Sequence, residues 1–389
     1  MLTIIGGTYI ENCREPISHE IFGSGLRAAV ALSGKDFDIN FYSCIDETNR
    51  ETIQSLCSTF NIVLHRSEIE TIIGFGYDYP LAKPSISSVI IDENKVKIGP
   101  VTSDNILYYG MLEADAEVHG NNVVYDPQNW KSFNSTGSSA NHLAIILNQH
   151  EAQFFSKIPF GDLRAMGKQL LEQEKADVIV IKNGPSGAVV IEKDTIEEIP
   201  VFKSSSVWPI GSGDIFSAVF AWKWIMGGFC AKESAYFASL YTAYYCDSRD
   251  IPLPKTPVTY QPILGAKAKK VYLAGPFFTI GERWLIHHSR KALQAFGHVV
   301  FSPFHDAVVG NSQNIVDEDI KGLVNADVLF AIVSGVDPGT IFEIGYAKAL
   351  GKRVIVLAEN VLKEDLFMLQ GTNCEITDDF STAIYKVSW

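Results

Sequence analysis

Basic side chains are scarce in this sequence: 32 Lys and Arg stand against 45 Asp and Glu, a net charge of −13 over 389 residues. A chain without a basic surplus cannot neutralise a run of phosphates, so a general nucleic-acid grip is excluded. Small anionic ligands are not, because a few backbone amides and one local cation suffice for them. Cysteine has no pattern. The six residues Cys13, Cys44, Cys57, Cys230, Cys246 and Cys374 form no CxxC pair and have no neighbouring His cluster. Neither a zinc site nor a disulfide framework is indicated, and a reducing compartment is the expectation. Long apolar runs are also missing. The longest, Ile215 to Ala231, contains Lys223 and follows Asp214, so it reads as a buried helix and not a membrane span. The opening Met1-Leu2-Thr3-Ile4-Ile5-Gly6-Gly7 has neither the length nor the basic flank of a signal peptide. The expectation is a cytoplasmic protein with small-molecule substrates and no nucleic-acid or membrane partner.

What is present is apolar residue in quantity, 47% of the chain against 20% charged. That is a globular composition, and the length suits two domains better than one core. Short β-branched runs alternate with helical patterns in both halves, which indicates an α/β class throughout. Strands are expected at Leu2–Ile5, Ile39–Ser43, Ser88–Ile91, Val123–Tyr125, Val178–Ile181 and Ala188–Ile191. Helices are expected near Gly25–Leu32, Thr48–Thr59, Ser139–Leu147, Asp162–Glu174, Asp214–Ile225 and Ala231–Tyr245. The pattern dissolves at the proline-punctuated Ile251–Pro257 and the small, basic Gly265–Lys270. The domains are therefore placed at 1–256 and 270–389, with a linker at 257–269. The second domain reads as four strands with intervening helices, a doubly wound parallel sheet of flavodoxin-like or Rossmann-like type.

Gly211-Ser212-Gly213-Asp214 runs straight into the apolar helix Ile215-Phe216-Ser217-Ala218-Val219-Phe220. Two glycines let the backbone present consecutive N–H groups, and the helix adds the positive end of its dipole. Such donors stabilise a phosphoryl group in transfer, and Asp214 is placed to accept a proton from the attacking hydroxyl. A plain Gly-rich turn with Asp214 as helix cap accounts equally for these four residues. In the same order along the chain stand Gly6-Gly7, Gly23-Ser24-Gly25-Leu26-Arg27, Asn148-Gln149-His150-Glu151 and Lys182-Asn183-Gly184-Pro185-Ser186-Gly187.

Together these segments, over residues 1–250, resemble the ribokinase (PfkB) family of carbohydrate kinases. The resemblance implies a ribokinase-like α/β/α fold with ATP and Mg²⁺ as cofactors. It implies Asp214 as catalytic base, and Gly211, Ser212, Gly213, Lys182 and Gly184 around the nucleotide. Asn148 and Glu151 would serve the metal, with Glu11, Gly25 and Arg27 at the acceptor. Several positions depart from the family pattern. Arg27 replaces a sugar-binding Asn, Glu11 replaces an Asp, Lys182 replaces a common Thr, and Trp208-Pro209-Ile210 replaces the usual Asp-Thr-Thr. Arg27 suggests an anionic acceptor, since its fork suits such groups. A surface arginine on a helix is the plainer reading. The short domain suggests a trimmed lid or substrate loop.

In the second domain Asp337-Pro338-Gly339-Thr340-Ile341-Phe342-Glu343 follows the buried strand Val328–Val333. Ligands sit at the carboxyl ends of such strands. Thr340-x-x-Glu343 is also a capping box, with Glu343 in the first helical turn. With Tyr272 in Val271-Tyr272-Leu273-Ala274-Gly275-Pro276, and with Asp319 and Asp327, residues 270–375 resemble the nucleoside 2-deoxyribosyltransferases. The resemblance implies Glu343 as nucleophile at the anomeric carbon, oriented by Tyr272. Asp319 would be general acid for the leaving base, and Asp337 would hold sugar hydroxyls. Gly275 and Asp327 join the substrate residues, and Phe277-Phe278 form a wall for the base. It also implies a homo-oligomer in which a neighbour completes the site, although Leu366 stands where an Asn is common. His305 is a candidate substrate contact, and His287-His288 read as helix surface. The expectation is a bifunctional enzyme of nucleoside or nucleotide metabolism, joining N-glycosidic cleavage or deoxyribosyl transfer to phosphorylation of a sugar or nucleoside. The alternative is a kinase-fold ligand sensor regulating an N-glycosidase.

Overall fold

Aliphatic runs form the framework. Leu2–Ile5 is buried along its whole length, as expected of a strand covered on both faces. In the computed structural model, which describes residues 1–87, 94–265, 267–306 and 312–389, it lies inside a nine-stranded sheet. The expected strand Ser88–Ile91 lies outside the described residues. The chain divides into two compact units, Met1–Ser204 with Trp208–Gly265, and Ser205–Val207 with Ala266–Trp389.

In unit 1 the sheet runs mostly parallel. Leu2–Ile5 pairs in parallel with Ile39–Ile45 and Val96–Tyr109, and Ser139–Asn148 with Ala114–Asp126 and Val178–Lys182. At one edge Ala188–Glu192 is antiparallel to both Val178–Lys182 and Ile196–Ile199. The expected helix Ser139–Leu147 is thus a strand. Its apolar half, Leu143–Leu147, is buried throughout. A short, continuous apolar run has no period that separates a buried strand from a buried helix. Beside the large sheet lies a four-stranded one built from Ser18–Ile21, Ile10–Cys13, Gly74–Tyr77 and Ser85–Ile86.

Helix Gly23–Leu32 is buried at every position. Small residues allow this: a Cβ on Gly25 would meet the Gly6 backbone carbon at 2.6 Å, so helix and strand touch backbone to backbone. Helix Ser212–Ala221 buries Ile215 through Ala221 and continues as a π-helical turn, Trp222–Met226, before Ala231–Ser248. Trp222 packs on Tyr241 across these helices with ring centres 5.6 Å apart.

Unit 2 has five parallel strands, in the order Val299–Phe301, Lys270–Ala274, Val328–Ile332, Arg353–Leu357, Glu375–Thr377. In sequence terms this is 2-1-3-4-5, the flavodoxin-like order, with its switch point between the first and third strands. The fifth strand, only three residues long, is not apparent in the sequence. Helix Ile280–Ala295 opens on a capping box of Thr279 and Glu282. Helix Pro338–Ala349 begins with Pro338 in its first turn and Asp337 as cap. Among the described residues, no helix is long and apolar enough to cross a membrane.

Candidate active sites

In unit 2 the switch point brings together residues from three elements. Tyr272 belongs to the buried strand Lys270–Ala274, and its phenol donates to Glu343 Oε1 at 2.5 Å. Burial pushes the Glu343 carboxyl up to about 7, the Tyr272 hydrogen bond pulls it down, and the charges of Asp319 and Asp337 add to the rise. Burial, and then the charge of Glu343, raise Tyr272 far above the usual phenol range, so it stays a donor. Asp319, on helix Ser312–Asn325, is raised by burial and by Glu318. Its Oδ1 is buried and has no hydrogen-bond partner among the described residues. The group is therefore a half-buried carboxylate held by a phenol, with a second carboxyl close enough to raise its pKa.

The expected capping box is not formed. Asp337 is the cap: its Oδ2 accepts from Thr340 N at 2.7 Å and Thr340 Oγ1 at 2.9 Å. Because Pro338 starts the helix early, Glu343 falls in the second turn, where its carboxylate is not held by helix-start amides. Asp337 spends one oxygen on capping, which limits the expected sugar contact to the other. Asp327 requires a correction. It sits before the amino end of strand Val328–Ile332, with Oδ2 accepting from Lys270 N at 2.7 Å, so it is at the opposite end of the sheet from the switch-point crevice. Gly275 is a packing residue, since a Cβ there would meet Ile286 Cδ1 at 2.9 Å.

Phe277 stacks on Phe278 with centres 5.4 Å apart and lies 5.5 Å from Phe304, while Phe278 stays 66% exposed. Leu366, at the position of the family's Asn, is buried in the core of this unit. Its neighbours Phe367 and Met368 are exposed. His305 faces Ser302 Oγ at 3.3 Å and His287 Nδ1 at 3.5 Å.

In unit 1 a cavity of about 350 Å³ is lined by Glu11, Asp214, Gln128, Ser24 and the aromatic residues Tyr9, Phe75, Tyr77 and Trp130. Strand Ile10–Cys13 carries Glu11, and Gly74–Tyr77 carries Phe75 and Tyr77, so the small sheet supplies one wall. Asp214 lies in the first turn of helix Ser212–Ala221. Gln128 Nε2 donates to its Oδ1 at 2.8 Å and Arg27 Nε to its Oδ2 at 3.3 Å. Burial pushes Asp214 up to about 6, partly offset by Arg27 and Gln128 and reinforced by Glu11 and Asp126.

Arg27 is neither a surface residue nor free for an anionic acceptor. It is 1% exposed, pairs with Glu11 and Asp214, and donates to Tyr245 Oη at 2.9 Å. Its positive charge is consumed beneath the cavity floor. Gly211 makes room for it, since a Cβ there would collide with the guanidinium, and its φ of +79° belongs to the left-handed region. Gly25, expected at the acceptor, packs instead on Gly6 inside the fold, because only glycine permits that approach.

At the start of helix Ser212–Ala221, Ser212 N is spent on Pro209 O at 3.1 Å, leaving the first-turn amides of Gly213 and Asp214. Lys182 ends strand Val178–Lys182 and donates to Asp126 Oδ2 at 2.8 Å. Gly184 follows in a turn at φ +51° with open space beside it. Asn148 and Glu151, expected to serve a metal, close a reciprocal capping box: Glu151 Oε2 accepts from Asn148 N at 2.8 Å and Asn148 Oδ1 from Glu151 N at 2.9 Å. Those atoms are therefore committed to the backbone. Among the described residues no group of three or more His, Cys, Asp or Glu is placed to hold a metal ion. The helix start fits the phosphate end of a nucleotide, and of the expected metal residues the capping box leaves Glu151 Oε1 outside it. Asp126, Gln128 and the aromatic wall are absent from the sequence expectations. Asp126 had a signal, since it follows an expected strand at its carboxyl end. Gln128 had none.

The two halves match two families. Residues 104–247 match the model of the pfkB family carbohydrate kinases, and residues 271–374 that of the nucleoside 2-deoxyribosyltransferases. Among solved structures, fructokinase from Vibrio cholerae O395 is 10% identical, with a TM-score of 0.50, covering 64% of this chain and 93% of its own. Ribokinase from Thermotoga maritima is 16% identical, with a TM-score of 0.46, covering 65% of this chain and 96% of its own. At such an identity the likeness to the fructokinase speaks to the fold alone. No curated protein matches the chain. The first half is thus a pfkB-like, ribokinase-fold unit and the second a deoxyribosyltransferase-like unit.

Proposed function

We propose that the chain is a bifunctional enzyme of nucleoside metabolism, in which the deoxyribosyltransferase-like unit breaks an N-glycosidic bond through Glu343. The observation that carries this reading is the 2.5 Å hydrogen bond from Tyr272 to Glu343, made in place of a helix cap. Attack of the Glu343 carboxylate on C1′ forms a glycosyl ester as the C1′–N bond breaks. Asp319, whose buried oxygen lacks a partner, delivers the proton to the leaving base. A second base, or water, then releases the sugar and restores both carboxyls.

The pfkB-like unit phosphorylates a neutral sugar or nucleoside, with ATP as donor. The charged side chains lining its cavity, Glu11 and Asp214, are both acidic, and Arg27 is sealed beneath them. A phosphorylated acceptor would meet like charge. A hydroxylated ligand with a flat face suits the carboxylates and the surrounding aromatic rings. Asp214 takes the proton of the attacking hydroxyl, and the helix start receives the phosphoryl group. Magnesium would travel with the nucleotide's phosphates and supply charge neutralisation there.

The test is to incubate the full chain with deoxynucleosides, nucleosides and ATP while following free base and ADP. Base release that survives Glu343→Ala refutes the glycosidic assignment, and ADP formation that survives Asp214→Asn refutes the kinase assignment. A second reading, a silent ligand-sensing kinase fold, draws on the engagement of both Asp214 oxygens by Gln128 and Arg27. It predicts acceptor binding without ADP.

A further inference from the structure

We propose that Glu113 is a positioning residue of the unit 1 cavity, latching the Tyr9 ring as a fixed wall so that an acceptor with a flat aromatic face, a nucleoside, is held in preference to a base-free sugar. The proposal rests on the reading of the pfkB-like unit as a kinase and narrows its acceptor. Tyr9 lines the cavity, and Glu113, 1% exposed, acts through Tyr9. Three observations carry it.

The first is how fully the phenol is engaged. Tyr9 Oη donates to Glu113 Oε2 at 2.8 Å and accepts from Leu112 N at 3.4 Å. Burial, and then the charge of Glu113, raise the phenol well above its usual range, so it stays protonated and donating. A hydroxyl has one proton to give, and this one is spent. What Tyr9 offers a ligand is therefore the carbon face of its ring.

The second is the slot around that ring. A Cβ on Gly7 would stand 2.1 Å from Tyr9 Cζ, and one on Gly23 would stand 2.7 Å from Tyr9 Cδ2. Both glycines make room for the ring. Phe75, from the small sheet, packs on it at 58° with centres 5.2 Å apart and also lines the cavity. Two rings so inclined form a corner that suits a planar ligand ring. The slot bounds Tyr9, and the hydrogen bond to Glu113 fixes how the ring sits in it.

The third is the cost of the acid. Burial pushes the Glu113 carboxyl up to about 7, and its Oε1 has no hydrogen-bond partner among the described residues. A buried carboxyl with one oxygen unmatched costs the fold stability. An aliphatic side chain would fill such a place without that cost, so stability does not account for the acid. A latch does, because a carboxyl keeps an oxygen free to accept from the phenol in either protonation state.

The experiment measures binding of adenosine, uridine and D-ribose to the full chain by calorimetry, together with kcat and KM of ADP formation on the same probes. The wild type is expected to hold at least one nucleoside about tenfold or more tighter than D-ribose. Glu113→Leu should weaken that nucleoside, and raise its KM, about three- to tenfold, the worth of one oriented aromatic contact. Its kcat and its affinity for D-ribose should not change. Glu113→Gln, which keeps an acceptor for the phenol, should restore the wild-type values. Tyr9→Phe combined with Glu113→Leu removes both partners and leaves neither unmatched, so it guards against misfolding. That double variant should bind the nucleoside as weakly as Glu113→Leu. A wild type without nucleoside preference, equal losses on nucleoside and D-ribose, or a double variant of wild-type affinity overturns the proposal. The two readings fail separately. Glu113-dependent nucleoside binding without ADP formation keeps the latch and removes the kinase. ADP formation from a nucleoside that Glu113→Leu leaves unchanged does the reverse.

Discussion

The Tyr272 phenol and the Glu343 carboxylate meet at 2.5 Å beside the switch point of the smaller sheet, one from the middle of a buried strand and one from the second turn of a helix. This bond favours the charged form of Glu343, while burial disfavours it and leaves the carboxyl at about 7. A nucleophile must be ionised. Base release is therefore expected to rise with pH through about 7 on its acidic limb. Tyr272→Phe removes the hydrogen bond that lowers the Glu343 pKa, so the limb should move to higher pH. The pH profile of kcat/KM for base release checks this, and an unmoved limb would separate the two residues.

Asp319 is expected to matter in proportion to how poorly the base leaves. Asp319→Asn should slow release of ordinary nucleobases by about a hundred- to ten-thousandfold, the usual range for a positioned general acid. A substrate whose leaving group needs no proton should be cleaved at nearly the wild-type rate. Equal losses on both substrates would remove the acid role.

Arg27 is held between Glu11 and Asp214 with 1% exposure. Arg27→Met leaves two carboxylates without their cation and is expected to destabilise the pfkB-like unit by about 3–5 kcal/mol near neutral pH. Burial already raises Asp214 to about 6, and removing Arg27 raises it further. A carboxyl whose folded pKa lies above its unfolded value contributes stability below that pKa and loses it as pH rises through it. The variant should therefore recover stability relative to the wild type as pH falls from 8 towards about 5. Urea midpoints at the two pH values read this directly. A deficit that does not shrink on acidification would argue against the charge account.

Gly211 and Gly213 flank one serine and carry different constraints. Gly211→Ala must accommodate both a φ of +79° and a collision with Arg27, whereas a Cβ on Gly213 meets only Lys182 Nζ at 3.6 Å. Gly211→Ala is expected to cost at least about 1 kcal/mol more than Gly213→Ala. Thermal unfolding of the two variants measures the difference.

The α/β class, the two-part organisation and most helices of both units were legible in the sequence, because amphipathic period and caps are local properties. The expected contact between Tyr272 and Glu343 is present, and Asp214 stands at the expected helix start. Strand Ser139–Asn148 was not, because an apolar run buried on both faces carries no period. The short strand Glu375–Thr377 was not either, since three residues are too few for a pattern.

Sequence by itself determined which reactive side chains are available and in what order the elements follow. Tertiary structure alone decided what those residues face. It turned Arg27 from a candidate ligand for anions into a buried counter-ion, moved Asp327 to the far end of its sheet, closed Asn148 and Glu151 on each other, and set Asp126 against Lys182. The physical reason is that a charge's role depends on the charges within a few ångströms of it, and these come from strands and helices far apart in the chain.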